Sequence, residues 1–266
     1  MAITTLDGII AGAQPPRYFC KALSGTLVAG RPFVPWGLAG IPGASTAPSS
    51  GINGGNLTSS SQDIPFTNPV SGNTYLTRFA AEVTQQCTVL LVDKLWENSG
   101  LVVTSTSAQA ITQPTLEARD ANGATDGDAV LIGLRIVTAT GAGANVPQIT
   151  YTDSAGGTGN TANPVVAYAA SSAAGSFYPF ALAAGDKGVR SVTSYINTVS
   201  MTSGTISLVA FRVLAVIDVG AYSGNAAGPV DLGFPQLYDN TVPNVIILPS
   251  ATTTSIISGM MSVSQG

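Results

Sequence analysis

A chain of 266 residues is long enough to bury a large core, and a single β-domain can reach that length. Hydrophobic residues make up 45%, which excludes disorder, while charged residues make up only 9%, against about a quarter in ordinary soluble proteins. The net charge of −4, with ten Lys and Arg spread along the whole length, offers no basic footprint for nucleic acid, and no run of about eighteen apolar residues could cross a membrane as a helix. Compatibility with water must then rest on Ser, Thr, Asn and Gly, and on coverage of the surface by partner chains.

The start, MAITTLDGII, has no basic n-region and carries Asp7 where a signal peptide would be apolar, so a soluble protein made in the cytosol is expected. The first dozen residues suit a short helix. Thr4 or Thr5 can cap it, Asp7 favours its positive end, and Ile3, Leu6 and Ile10 share a face; Gly12 and the Pro15-Pro16 pair stop it. Cys20 and Cys87 fit no metal-ligand spacing and read as buried free thiols of a reducing compartment rather than a disulfide. Residues 31–73, which open with RPFVPWGLAGIPGASTAPSSGINGG, are rich in Pro, Gly, Ser and Asn and show little periodicity. Such length without structure is unusual inside a domain, so it reads as an extended segment lying across a surface, with a neighbouring subunit as one such surface; a floppy linker is the alternative. The expected units are residues 1–73, a short helix and extended arm, and residues 74–266, a β-domain.

From residue 74 the runs YLTRFAAEV, CTVLLVDKLW, GLVVTSTSA, AVLIGLRIVTA, PQITYTD, PVVAYAA, FYPFALA, VRSVTSYINTVSM, TISLVAFRVLAVI and NVIILPS are rich in β-branched and aromatic residues and bounded by turn residues. About ten strands without long amphipathic helices between them predict a mainly β fold, an antiparallel β-sandwich or jelly-roll-like domain. TISLVAFRVLAVI is apolar on both faces, which predicts burial between layers or in an oligomer. FYPFALA, AGDKG, VRSVTSYINTVSM, TSG and TISLVAF read together as a three-stranded meander. In that reading Asp186-Lys187 is a hairpin turn; a phosphate cradle would need a longer glycine arc opening a helix.

Chemistry is hard to find in this sequence. With no histidine, the Ser-His-Asp and Cys-His mechanisms and HExxH zinc sites are excluded. Glu82, Asp93, Glu97 and Glu117 remain formal candidates for a glycosidase carboxylate pair, yet aromatics total only 7% and Trp36 and Trp96 are the sole tryptophans to line a cleft. ARDANGATDGD, with Asp120, Asn122, Asp126 and Asp128, has the oxygen-rich composition of a calcium loop without the twelve-residue register, and reads as an Asx-rich connection. GAGAN (141–145) leads to Pro147 rather than a helix, so the dinucleotide fingerprint fails, and Asn56-Leu57-Thr58 is a glycosylation acceptor only in a secreted eukaryotic protein. Arg212, mid-strand in apolar company, calls for a carboxylate partner from a neighbouring strand or subunit. No catalytic, cofactor-binding or metal-binding residue is expected.

The segments TLDGIIAGAQPP, VAGRPFVPWGLAGIPGA, NPVSGNTYLTR, LLVDKLWENSGL, ARDANGATDGD, GSFYPFALAAGDKGVRSV and GFPQLYD together resemble a family of tailed-bacteriophage virion structural proteins, over almost the whole chain. The resemblance implies a non-enzymatic decoration or cement protein on the capsid exterior, made in the host bacterial cytoplasm. Its implied partners are the major capsid protein and copies of itself, with a trimer expected because three-fold positions recur on icosahedral shells. The major shell protein of tailed phages is a mixed α/β fold with a long helix, which this chain lacks, so it is expected to clad the shell rather than build it. The alternatives are a head fibre, tail tube or receptor-binding subunit, and a carbohydrate-binding or carbohydrate-cleaving β-domain.

Overall fold

The computed structural model describes residue 3 and residues 5–23, 27–60 and 62–266. It begins with α1 (Leu6–Ala11), which forms where the Thr5 hydroxyl accepts the Gly8 N–H at 3.1 Å. Thr4, the other expected cap, lies outside the described residues. No residue of α1 is buried. The chain end holds it: Ser264 Oγ donates to the Ile9 carbonyl at 2.8 Å and the Gln265 N–H to the Gly12 carbonyl at 2.9 Å.

The strands in chain order are β1 (Arg17–Leu23), β2 (Gly40–Ile41), β3 (Gly55–Asn56), β4 (Thr74–Val83), β5 (Cys87–Glu97), β6 (Gln109–Ala110), β7 (Val130–Thr138) and β8 (Pro147–Asp153). They continue as β9 (Asn160–Ala162), β10 (Phe177–Pro179), β11 (Val189–Asn197), β12 (Thr205–Val219), β13 (Ser223–Ala227), β14 (Gln236–Leu237), β15 (Pro243–Pro249) and β16 (Ser255–Gln265). A short α2 (Pro229–Leu232) precedes β14. The strands build three antiparallel sheets. The first runs β13-β4-β16-β1-β2 with β14 beside β4, the second β10-β7-β12-β5-β15 with β3 beside β5, and the third β6-β11-β8-β9.

The long strands β5 and β12 explain how the layers pack. Near one end, Val89 and Leu91 of β5 and Ile217 and Val219 of β12 join a core with Phe19, Leu76, Phe79 and Ile257 of the first sheet. Near the other, Leu95 and Trp96 of β5 and Ile206, Leu208 and Ala210 of β12 join a second core with Ile149, Tyr151, Val192 and Tyr195 of the third sheet. Register shifts between Ala210 and Phe211 and between Val213 and Ala215 let one strand serve both. The opposite face of the second sheet (Val92, Val209, Phe211 and Ile246) packs against Val34 and Trp36 of the Pro- and Gly-rich segment. The mainly β sandwich expected from the sequence is therefore what forms. The strand that is apolar on both faces is buried between layers of its own chain.

Several expectations need correction. β1 lies before residue 74 yet pairs with β16 over its whole length, from Arg17↔Met261 to Leu23↔Ser255. Phe33 bridges Ile247 and Ser176, and Trp36 Nε1 donates to the Val245 carbonyl at 2.9 Å. Much of residues 1–73 thus packs on this chain's own sheets, so the surface that the extended segment lies across is in large part its own. The AGDKG stretch is a turn but not a hairpin. β10 belongs to the second sheet and β11 to the third, so the chain crosses between layers here, and it crosses back through TSG to β12. The expected meander does not exist. GLVVTSTSA is irregular up to β6, because the Asn197 side chain takes the place of a ladder and donates to the carbonyls of Val103 at 3.3 Å and Ser105 at 3.2 Å. PVVAYAA forms only an isolated bridge, Pro164↔Phe180.

Candidate functional site

Five of the ten Lys and Arg side chains, Lys21, Lys94, Arg119, Arg135 and Arg212, are buried. Four of the five gather around β5 and β12.

One group sits at the seam between the two cores. Asp93 is wholly buried on β5, between Leu91 of the first core and Leu95 of the second. Arg119 reaches it from the loop before β7, with Nη1 3.3 Å from Asp93 Oδ1, while the Val242 N–H donates to the same oxygen at 2.8 Å. Arg119 also donates to the carbonyls of Leu57 at 2.7 Å and of Asn240, and its Nε lies 3.7 Å from Glu117. It therefore ties the Pro/Gly-rich segment, β5 and the loop before β15 together. Burial pushes the Asp93 carboxyl above its usual range, and the nearby guanidinium of Arg119 works against that shift. Arg212 faces Asp93 across the β12–β5 ladder but forms no ion pair with it. Its Nη2 donates to the Gln236 carbonyl at 2.9 Å, and its guanidinium lies 5.1 Å from the centre of the Tyr238 ring. In place of the carboxylate partner expected for Arg212, its guanidinium meets a carbonyl and an aromatic face.

The other group lies under the Pro/Gly-rich segment. Arg135 Nη1 and Ser207 Oγ both donate to Glu97 Oε1, at 2.9 and 2.7 Å. Lys94 Nζ is 3.7 Å from Asp63 and 4.6 Å from the centre of the Trp36 ring, and Arg135 approaches the same ring at 5.5 Å. Asp63 accepts from Asn244 Nδ2 at 2.6 Å and Ser60 Oγ at 2.6 Å. Lys21 spends its three donors on the carbonyls of Leu38, Pro42 and Gly43, at 2.9, 2.6 and 3.0 Å. This chemistry fixes backbone; it does not present a nucleophile to a base. Reading the sequence singled out Arg212 but not Asp63, Lys94, Arg119 or Arg135. The same signal, charge inside an apolar run, was present in LLVDKLWE and LIGLRIVT.

The four carboxylates weighed as a hydrolase pair do not form one. Glu82 is exposed on the first sheet, Asp93 and Glu97 are buried in separate ion pairs, and Glu117 shares Arg119 with Asp93. In the ARDANGATDGD loop Asp120 is buried and organises the backbone. Its Oδ1 accepts the N–H groups of Asn122 and Ala124, its Oδ2 those of Gly127 and Asp128, and Asn122 Nδ2 donates to Asp128 Oδ2 at 2.9 Å. That is the Asx-rich connection the sequence suggested. Asp126 pairs instead with Arg190 at 2.8 Å. Asp186 accepts the Tyr151 hydroxyl at 2.5 Å, while Lys187 is exposed. Both cysteines are free; Cys87 is buried and Cys20 half-buried, and burial pushes the Cys87 thiol up to about 11. No helix among the described residues is long and apolar enough to cross a membrane.

No protein-family model and no curated protein matches this sequence. Among solved structures, the chain is similar to VP2 of infectious bursal disease virus in a subviral particle, at 12% identity and a TM-score of 0.19, covering 96% of this chain and 82% of that one. It is also similar to the T=1 particles derived from infectious bursal virus, at 9% identity and a TM-score of 0.20, covering 96% and 79%. Overlaps with so low a TM-score carry no argument about this chain.

Proposed function

We propose that this protein is a non-enzymatic structural component of a tailed-phage virion, a decoration protein that clads the capsid shell as a homo-oligomer, with the trimer as the expected assembly. The observation that carries the reading is where the charge lies. Half of the cationic side chains are spent on internal carbonyls, carboxylates and rings, in a chain with only 9% charged residues to begin with. The surface left over is dominated by Ser, Thr, Asn, Gly and Ala. Free-standing domains keep about 25–35% charged residues on their surface, whereas the centres of protein interfaces are depleted of them. Such a surface suits a chain that works packed against others, where many weak contacts add through multivalency. The sequence resemblance to tailed-phage virion proteins supports the same reading, and the burial of Asp93 and Glu97 in ion pairs supports a non-enzymatic role.

The test is to prepare shells with and without the chain and compare them by electron cryo-microscopy and co-sedimentation. Extra density on the capsid exterior, filled by this sandwich, is expected. Density in the tail, or failure to co-sediment with shells, overturns the placement, and hydrolysis of host polysaccharide by the purified chain overturns the non-enzymatic reading.

A further inference from the structure

At its Ser264 end the outer face of the first sheet is covered by α1, where the buried Ser264 donates to the Ile9 carbonyl; from Arg78 to Glu82 the face has no partner among the described residues. Alternation along the strands places Tyr18 and Cys20 of β1, Arg78, Ala80 and Glu82 of β4, Gly224 and Ala226 of β13, and Ser258 and Met260 of β16 on it, opposite the buried Phe19, Phe79 and Ala81. The register draws straight rows across this face. Ala226, Ala80, Met260 and Tyr18 form one, and Gly224, Glu82, Ser258 and Cys20 the next. Between Tyr18 and β13 the face is hollowed into a shallow groove of 470 Å³.

Charge on this face is sparse and arranged in a telling way. Arg78 and Glu82 are both exposed, lie two residues either side of Ala80 on one strand, and form no ion pair among the described residues. At 3.3 Å per residue their Cα atoms stand about 13 Å apart. A two-fold axis that lies in the interface above Ala80, parallel to the sheet and perpendicular to β4, turns the two faces toward each other with β4 antiparallel to its copy and sets each Arg78 over the partner's position 82. The pattern is self-complementary in the sense an isologous contact requires, with small side chains at its centre and opposite charges at its rim.

We infer that the outer face of the first sheet is a docking surface for a second copy of this chain, paired about a two-fold axis at Ala80 with Arg78 of each copy against Glu82 of the other. The inference does not rest on the shell placement, because the contact is read in solution. It is separate from any three-fold contact.

The experiment is sedimentation equilibrium on the full chain and four variants, each checked for an unchanged β-sheet circular dichroism spectrum. Arg78→Glu and Glu82→Arg each put like charges opposite one another twice per contact, and each should weaken self-association by about tenfold or more. The double variant Arg78→Glu/Glu82→Arg restores both pairs with reversed polarity, and its association should return to within about threefold of the parent, less than half a tenfold step in free energy. Ala80→Arg, which brings two guanidinium groups to the axis, should abolish the contact. A parent that stays monomeric up to its solubility limit overturns the inference and leaves the face to a different partner. Association of any stoichiometry that the single reversals leave unchanged also overturns it, as does a double variant no better than the singles.

Discussion

Asp186 and Lys187 are neighbours in one turn, yet their environments differ. Tyr151 is buried in β8, and its hydroxyl accepts the Ala183 N–H at 2.8 Å and donates to Asp186 at 2.5 Å. Burial, with the carboxylate beside it, pushes that phenol up to about 12. Asp186→Ala should therefore cost about 1 kcal/mol or more by urea denaturation, as the loss of a charged acceptor from a buried hydroxyl does, whereas Lys187→Ala should stay within about 0.5 kcal/mol. Equal small effects would return Asp186 to a solvated turn. Gly188 is a stricter site, since an added Cβ would lie 2.0 Å from the Gly127 carbonyl oxygen. At Gly185, where φ is 96° and the space is open, the cost is conformational alone. The seam gives a pH test. Arg119→Met leaves Asp93 buried without its cation, which should cost about 3–5 kcal/mol at neutral pH. The folded-state pKa of Asp93 already lies above the unfolded value, and removing Arg119 raises it further. The folded variant therefore holds a proton that the unfolded chain has released, so its deficit should shrink as pH falls toward the unfolded carboxylate range and grow as pH rises. Denaturation midpoints for both proteins at pH 5 and pH 8 check this; a deficit independent of pH contradicts it.

At the scale of elements, the Pro/Gly-rich segment behaves as a strap that completes the second sheet's outer core. Trp36 is 1% exposed, meets Phe177 edge-on at 5.9 Å between ring centres, and carries Lys94 on its face. Trp36→Ala should cost about 3–5 kcal/mol, the range for emptying a large aromatic from a core. Thermal unfolding measures it, and a cost below about 1 kcal/mol would mean that the strap is only loosely applied. This role was hidden in the sequence because its warrants are long-range. Phe33 meets Ile247, and Lys21 caps carbonyls near residue 40. Neither pairing leaves a local period. β5, β7, β11, β12 and β15 were legible because Val, Ile and Leu recur there between turn residues. β1, RYFCKAL, was not: Arg17 and Lys21 mask its alternation, and only the finished sheet shows that Lys21 turns inward to the strap. The Asp186 turn was legible as a turn, but which sheets it joins depends on tertiary pairing that no five residues encode.

The whole molecule buries half of its few cations and leaves faces of small, weakly polar side chains outward. α1 remains apart from the cores, with Leu6 and Ile10 70% and 65% exposed. Composition disclosed the scarcity of charge and the missing histidine, and with them the absence of the common catalytic sets. It could not disclose which five cations are internal, because burial of Lys94, Arg119 and Arg135 depends on contacts with residues 36, 93 and 97, brought together by three different sheet pairings and loops. A structural protein that clads the shell, as proposed for this chain, must be present in many copies per particle. Quantitative mass spectrometry of purified virions, with the major shell protein as internal reference, measures that number. Copies in fixed proportion to the shell subunit and of comparable abundance are expected; a handful of copies per particle, or none, rules out a shell-cladding role.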